Sequence, residues 1–246
     1  MAAIKLCDVA PIELLEHIRQ KARNRVHRVG VELEGGWSKL PKGTHPVRDG
    51  SVEIAQTAEE PLVLGEIVSP PLDLTAFPTW VKAFYPQKMN GTCGMHVHLS
   101  FRTALTYQRL MTPTYPATIV AYIRQWAETE KLGKKHPIWP RLRGESEFCQ
   151  HVYQADAQSS TAGKDYDHHR TGHRYTVINY CYNRHSTVEC RLLPMFDTPE
   201  QAVKAVREVI DITNAYLLAT GRREEKIEGK AMVERDEEKE TRRIYA

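Results

Sequence analysis

Two histidines alternate with aliphatic residues in the segment Gly94–Ser100. A period of two indicates a β-strand, on which His96 and His98 share one face while Val97 and Leu99 share the other. Two imidazoles displayed above an apolar layer can bind a metal ion or a phosphate group. A surface strand with two unconnected histidines shows the same pattern, so the interpretation depends on the polar residues that accompany them.

Carboxylates stand at similar positions on two other predicted strands. Residues 29–36 alternate between apolar and polar types, which places Glu32 and Glu34 on one face. Glu66 is the one charged residue in the apolar run Val63–Val68. Neighbouring like charges repel each other unless a cation lies between them, and an isolated carboxylate is costly to bury. Solvated carboxylates on exposed strand faces are the alternative interpretation.

A hairpin is predicted near the end of the chain, with arms at 174–182 and 186–193. Glu189 and Arg191 share a face of the second arm because they lie two residues apart. They could form a local ion pair that contributes little stability. Equally, one could bind a metal ion and the other a phosphate group.

The segment Ser159–His173 is polar and rich in histidine, and it includes Arg170 and His173. Histidine-rich tracts often bind metal ions. A mobile basic loop that closes over an anionic ligand fits the composition equally well. Arg174 follows this segment directly and adds a cation at the start of the predicted hairpin.

Spacing and turn residues predict the remaining elements. These are a turn at Asp49 that leads into a strand ending at Ile54, helices at 11–24, 74–84, 117–131 and 198–221, and an irregular segment at 134–143.

The bulk composition describes an ordinary globular protein. The 246 residues are 41% hydrophobic and 26% charged, with a net charge of +3, which is too small to argue for nucleic acid binding. Five scattered cysteines without a CxxC pair argue against a disulfide framework and favour a reducing cytoplasm. No apolar run reaches membrane-spanning length. We expect one domain over residues 1–221 and a charged tail, helical or disordered, over 222–246.

The candidate ligands contain more carboxylates than histidines, which favours Mg²⁺ or Mn²⁺ over zinc. The sequence contains no HExxH, no GxxxxGKS/T and no GxGxxG motif, so a zincin, a P-loop or a Rossmann nucleotide site is not expected. Sites that catalyse phosphoryl transfer combine several divalent ions with arginines.

Five short motifs occur in the order found in the glutamine synthetase-like carboxylate–amine ligases. They are Glu32-Leu33-Glu34, Asp49, Glu66-Ile67-Val68-Ser69-Pro70, Gly94-Met95-His96-Val97-His98 and Thr187-Val188-Glu189-Cys190-Arg191. The chain resembles this superfamily, which includes glutamine synthetase and glutamate–cysteine ligase, over about residues 29–195. Within it, the sequence is most similar to the small bacterial and phage amidoligases.

The resemblance implies an α+β fold in which a mainly antiparallel open half-barrel sheet binds ligands on its concave face and helices pack outside. It also implies roles for individual residues. Glu34, Asp49 and Glu66 would hold one Mg²⁺, and Glu32, His96 and Glu189 would hold a second. Arg191 and His98 would contact ATP phosphates, Arg174 would stabilise the transferred phosphoryl group, and Arg170 and His173 would assist in binding the nucleotide. Tyr175 and Asn179 would support the site.

The implied activity is ATP- and Mg²⁺-dependent formation of an amide through an acyl phosphate, with Mn²⁺ as an alternative ion. The partners would be ATP, a carboxylate and an amine, in the cytoplasm of a bacterial or phage-infected cell. Nucleic acid enters only as a substrate for modification, and the oligomeric state is open. Two other readings remain, namely a divalent-metal hydrolase of a phosphorylated substrate and a non-catalytic binding protein.

Overall fold

The computed structural model describes residues 25–56, 61–151, 175–181 and 185–220. The strands are β1 (Val26–Trp37), β2 (Val63–Val68), β3 (Gly94–Phe101), β4 (Ile178–Cys181) and β5 (Thr187–Pro194). The helices are α1 (Phe77–Phe84), α2 (Ala104–Gln108), α3 (Thr114–Thr129), α4 (Ile138–Arg143) and α5, whose described residues are 199–220.

All five strands form one antiparallel sheet in the order β2-β1-β3-β5-β4. The fold is therefore α+β with an open antiparallel sheet and helices, as the sequence predicts. β4 and β5 pair as the predicted hairpin, and their described residues are in register from Ile178 opposite Cys190 to Cys181 opposite Thr187.

One face of the sheet is apolar and carries the hydrophobic core. Val31, Leu33, Val97 and Leu99 are completely buried on this face, as their alternation predicts. The apolar sides of α3 and α5 belong to the same core, so burial of apolar surface holds helices and sheet together. The opposite face is left to the polar residues of the same strands.

The start of β1 is fixed to the last helix by one side chain. Asn214 Oδ1 accepts hydrogen bonds from the backbone N–H groups of Arg25 at 2.7 Å and Val26 at 3.0 Å. The helix itself begins after Thr198, whose Oγ1 accepts a hydrogen bond from Gln201 N at 3.2 Å. Thr198 is therefore the N-cap that the sequence predicts.

The predicted strand at Val52–Ile54 is absent, because side chains rather than a neighbouring strand satisfy this backbone. Asn90 Nδ2 donates to Glu53 O at 2.6 Å, and Glu53 N donates to Thr92 Oγ1 at 3.3 Å. Asp49 does form the predicted turn, since its Oδ1 accepts from Ser51 N at 2.8 Å.

The predicted irregular segment 134–143 is wrong in its second half, where α4 forms. Pro137 precedes the first helical residue, and Gly144 ends the helix in the left-handed conformation with φ of 73°. Both are ordinary helix-boundary signals that the density of proline and basic residues obscured.

Several predicted segments lie outside the described residues. They are the helix at 11–24, the polar segment 159–173, the hairpin turn at 183–184 and the tail 222–246. Within the described ranges, no helix combines the length and apolar character needed to cross a membrane.

Candidate metal centre

The polar face of the sheet gathers the predicted ligands because of strand register. Glu32 in β1 lies opposite His96 in β3, and Glu34 lies opposite Glu66 in β2. On the other side of β3, His98 lies opposite Glu189 in β5. Side chains directly opposite each other on one sheet face are in contact distance. The three predicted motifs on β1, β3 and β5 are thus neighbours in space.

Glu34, Asp49 and Glu66 each offer a carboxylate oxygen within 4.8 Å of the others, and we call this group the carboxylate triad. Its members are those that the resemblance assigns to one Mg²⁺. Burial raises the pKa of Glu66 to about 7, and the charges of Glu32, Asp49 and Glu34 act in the same direction. The fold therefore concentrates negative charge at this point.

Asp49 reaches the triad because its chain segment is joined to the edge of the sheet. Val47 and Glu66 exchange two backbone hydrogen bonds of 2.9 Å, and the turn at Asp49 follows directly. Gly65 permits this approach: its φ is +149°, and a Cβ there would lie 2.3 Å from Val47 O. No other residue type avoids this overlap.

Glu32, His98 and Glu189 form a second group whose ligand atoms lie within 4.8 Å of one another, and we call it the histidine triad. His98 Nε2 lies 3.0 Å from Glu32 Oε1, and His98 Nδ1 lies 3.1 Å from Thr187 Oγ1. Burial alone would lower the pKa of His98, but the hydrogen bond to Glu32 and the charges of Glu189 and Glu32 raise it. The resemblance assigns His96 to this position and a phosphate contact to His98.

His96 instead lies between the two triads. Its Nδ1 is 2.8 Å from Glu32 Oε2 and 3.5 Å from Glu189 Oε1, while its Nε2 is 3.5 Å from Glu34 Oε1. Although burial opposes ionisation of Glu32, hydrogen bonds from His96 and His98 hold the pKa of that carboxyl well below its ordinary range. One imidazole therefore links carboxylates of both triads.

Glu189 is held from two sides. Asn179 Nδ2 donates to its Oε2 at 2.8 Å, and Arg191 Nη1 donates to its Oε1. Burial opposes the ionised form, but the charges of Arg191, His98 and His96 lower the pKa of Glu189 below its ordinary value. Asn179 thus fixes the orientation of the Glu189 carboxylate. Arg191 and Glu189 form the predicted ion pair, buried rather than exposed.

A β-bulge explains how Glu189 and Arg191 both come to lie beside His96. His96 in β3 faces two residues of β5, Arg191 and Leu192, because the register shifts between Met95 and Val97. Such an extra residue bends the strand and redirects its side chains.

Gly94 completes the support of the carboxylate triad. Its backbone N–H donates to Glu34 Oε2 at 2.5 Å. A Cβ at this position would lie 3.1 Å from His96 Nε2, 3.3 Å from Glu34 Oε2 and 3.4 Å from Arg141 Nη2. Three functional groups, from His96, Glu34 and Arg141, therefore converge beside one α-carbon that carries no side chain.

A cleft of about 500 Å³ opens beside the carboxylate triad; we call it the larger cleft. Its wall includes Glu34, Asp49, His96, Arg141 and Arg191. The Arg191 side chain is buried, and its Nε has no hydrogen-bond partner among the residues that the structure describes. Because Arg191 lines this cleft, its guanidinium is suited to an anion bound there.

A smaller cleft of about 310 Å³ lies beside the histidine triad, and Glu32 and His98 contribute to its wall. Gly30 also lines it and lies opposite His98 in the sheet. One cleft therefore borders each triad.

Arg141 is a residue that the sequence prediction did not include. It lies in α4, in a segment predicted to be irregular, and only 4% of it is exposed. The alternation of Arg141 and Arg143 around Leu142 would have been the available signal, but two arginines alone do not distinguish a buried cation from an exposed one.

Arg170, His173 and Arg174 lie outside the described residues. Tyr175 is described, and the Arg191 guanidinium carbon lies 5.8 Å from its ring centroid, a cation–π distance.

Comparisons with known proteins do not place the chain in a family. No protein-family model, no curated protein and no solved structure matches it.

Proposed function

We propose that this protein is an ATP- and Mg²⁺-dependent carboxylate–amine ligase of the glutamine synthetase-like type. One observation carries the proposal: two triads of potential metal ligands lie side by side on one sheet face, next to a cleft that contains two buried arginines. The order of the five sequence motifs adds support, since it is the order that this superfamily uses.

The donor set fits hard divalent cations. Five carboxylates from the two triads lie close together, and a bound cation would relieve their mutual repulsion. The carboxylate triad offers only oxygen ligands, which suit Mg²⁺ or Mn²⁺, and the histidine triad adds one imidazole, which Mn²⁺ also accepts. Glu34, Asp49 and Glu66 would hold one ion, and Glu32, His98 and Glu189 a second.

The larger cleft fits the phosphate chain of ATP. Arg191 supplies a buried guanidinium whose Nε has no partner in the described part of the chain, and the ligands Glu34 and Asp49 line the same wall. Phe148 and Tyr175 also belong to this wall, and their rings lie 6.1 Å apart. Aromatic rings beside a phosphate site offer a stacking surface for a nucleobase.

The proposed reaction must replace the poor leaving group of a carboxylate before an amide can form. An amine does not displace oxide from a carboxylate, so the carboxylate oxygen first attacks the γ-phosphorus of ATP, and ADP departs. The amine nitrogen then attacks the carbonyl carbon of the acyl phosphate, the C–O bond to phosphate breaks, and the amine loses a proton. Bound divalent ions would neutralise charge on the phosphoryl oxygens. Arg191 would orient and stabilise the same oxygens through its N–H groups.

The first test is calorimetry of ATP binding with and without Mg²⁺, followed by phosphate release against a panel of amino acids and polyamines. The ligase requires Mg²⁺-dependent ATP binding and phosphate release only when a carboxylate and an amine are both present. Phosphate release from phosphorylated compounds without ATP would indicate a hydrolase instead. Absence of ATP binding under both conditions would contradict the proposal.

A matched pair of variants connects this activity to the site. Glu189→Gln should abolish ATP turnover while the protein remains folded, because the histidine triad loses a ligand but keeps its shape. Glu200→Gln is the control, since Glu200 is exposed and pairs with Lys82 away from the triads. Normal turnover in a folded Glu189→Gln protein would remove Glu189 from the site.

A further inference from the structure

Two arginines of the short helix α4 have opposite environments. Arg143 is exposed and pairs with Glu145 through two hydrogen bonds of 2.7 Å. Arg141 points inward, and only 4% of it is exposed. A buried guanidinium has lost most of its hydration, so it requires compensation from the protein or from a ligand.

The hydrogen bonds that Arg141 donates to described residues all end on neutral backbone carbonyls. Arg141 Nη1 donates to Arg191 O at 3.1 Å and to Leu193 O at 3.3 Å, and Nη2 donates to Cys93 O at 3.5 Å. Within the described residues, no carboxylate lies at ion-pair distance from Arg141. Its positive charge therefore lacks a direct ion-pair partner in this part of the chain, and Glu34 acts on it only from a longer distance. A guanidinium with five N–H groups retains donors beyond these three contacts.

The position of Arg141 places this charge beside the carboxylate triad. It lines the larger cleft together with Arg191. Its Nη2 lies on the same side of Gly94 as Glu34 Oε2 and His96 Nε2, since all three atoms would contact a Cβ at Gly94 within 3.4 Å. An anion in the cleft can therefore reach Arg141 and a cation on the carboxylate triad at the same time.

We propose that Arg141 is an anion-binding residue of the larger cleft, where it and Arg191 hold the oxygens of a phosphate group. The planar guanidinium suits phosphate because it donates two parallel N–H groups. The inference deepens the proposed function and relies on it only for the identity of the phosphate as that of a nucleotide.

Inorganic pyrophosphate with Mg²⁺ tests the inference without requiring ATP chemistry. Calorimetry would compare the wild type with Arg141→Met, Arg141→Lys and the matched control Arg143→Met. We expect Arg141→Met to weaken pyrophosphate binding by about tenfold or more, as expected for loss of a charge-assisted hydrogen bond. Arg143→Met should remain within about twofold of the wild type, since exposed ion pairs contribute little.

A purely structural role for Arg141 predicts different results. If Arg141 only holds the ends of β3 and β5, a folded Arg141→Met protein binds pyrophosphate like the wild type, and the inference is overturned. If Arg141→Met does not fold, Arg141→Lys decides. Lysine keeps the charge but cannot serve both the carbonyls and the anion, so a folded Arg141→Lys protein should bind at least about threefold more weakly.

Two further outcomes separate this inference from the ligase. If wild-type protein binds no pyrophosphate, the inference fails whatever ATP does. If pyrophosphate binding depends on Arg141 but no ATP turnover occurs, the ligase proposal fails and the assignment of Arg141 stands.

Discussion

Glu66 is a residue whose ionisation the fold opposes. It lies opposite Glu34 in the sheet, and its pKa rises from the ordinary 4.5 to about 7. Between these values the folded protein retains a proton that the unfolded chain has lost. Stability without a divalent cation therefore falls as the pH rises from about 4.5 to about 7, and the loss is complete above that range.

Replacing Glu66 by glutamine should remove this loss. The full shift corresponds to at most about 3 kcal/mol, and partial access of water reduces it, so we expect Glu66→Gln to be about 1–2 kcal/mol more stable than the wild type at pH 8. At pH 4.5 the gain should be much smaller, since the wild-type carboxyl is then mostly protonated. Urea unfolding at both pH values without divalent ions measures this. A gain of equal size at both would assign the effect to packing.

The two histidines should have separable roles. Because His98 belongs to the histidine triad while His96 bridges both triads, His98→Asn should reduce the number of bound Mn²⁺ ions from two to one. His96→Asn should weaken both ions without removing one. Titration of Mn²⁺ followed by electron paramagnetic resonance counts the ions. Retention of two ions in His98→Asn and loss of one in His96→Asn would instead support the roles that the sequence motifs imply.

At the level of elements, the turn at Asp49 depends on Gly65 in β2. Gly65→Ala would place a Cβ 2.3 Å from Val47 O at a φ of +149°. We expect a loss of about 2–3 kcal/mol in the free energy of unfolding and weaker Mg²⁺ binding, because Asp49 moves with Val47. Urea unfolding and calorimetry measure the two effects.

Gly91→Ala is the control for this substitution, since no atom of the described residues lies within 4 Å of a Cβ at Gly91. Its free energy of unfolding should stay within about 0.5 kcal/mol of the wild type. A Gly65→Ala protein as stable as this control would show that the edge segment adapts to the added side chain.

The strands were predictable from sequence because the two faces of the sheet have different surroundings. Alternation at Val97 and Leu99 against His96 and His98 follows from that difference, and it identified the ligand face. The segment after Asp49 was not predictable, because its backbone is bound by Asn90 and Thr92, which lie about forty residues further along the chain.

Two features of the site also depend on geometry that periodicity does not encode. The bulge at Arg191 shifts the register beside His96, so spacing alone could not decide which histidine joins Glu32 and Glu189. Arg141 is buried by contacts with the carbonyls of Arg191, Leu193 and Cys93, which belong to β5 and to the residue just before β3. Long-range contacts of this kind leave no local pattern.

For the molecule as a whole, divalent cations should act as stabilising ligands. Carboxylates gathered by folding are far apart in the unfolded chain, so Mg²⁺ or Mn²⁺ should bind the folded state preferentially. A hundredfold excess over Kd adds about 2.7 kcal/mol, which corresponds to a rise in Tm of about 5–10 °C for a chain of this size. Thermal unfolding in MgCl₂ and in NaCl of equal ionic strength measures the rise. Equal Tm values in the two salts would contradict a metal centre.

The two backbone hydrogen bonds between Val47 and Glu66 also affect how readily copies of the protein aggregate. β2 is an edge strand, and Val63 and Val68 at its two ends are 45% and 49% exposed. Open edges with apolar residues invite pairing with strands of other molecules. The segment that carries Asp49 covers the middle of this edge through its two backbone bonds. A cation bound by the carboxylate triad would hold Asp49 in place and thereby also shield the edge, so we expect removal of divalent ions to favour aggregation through β2.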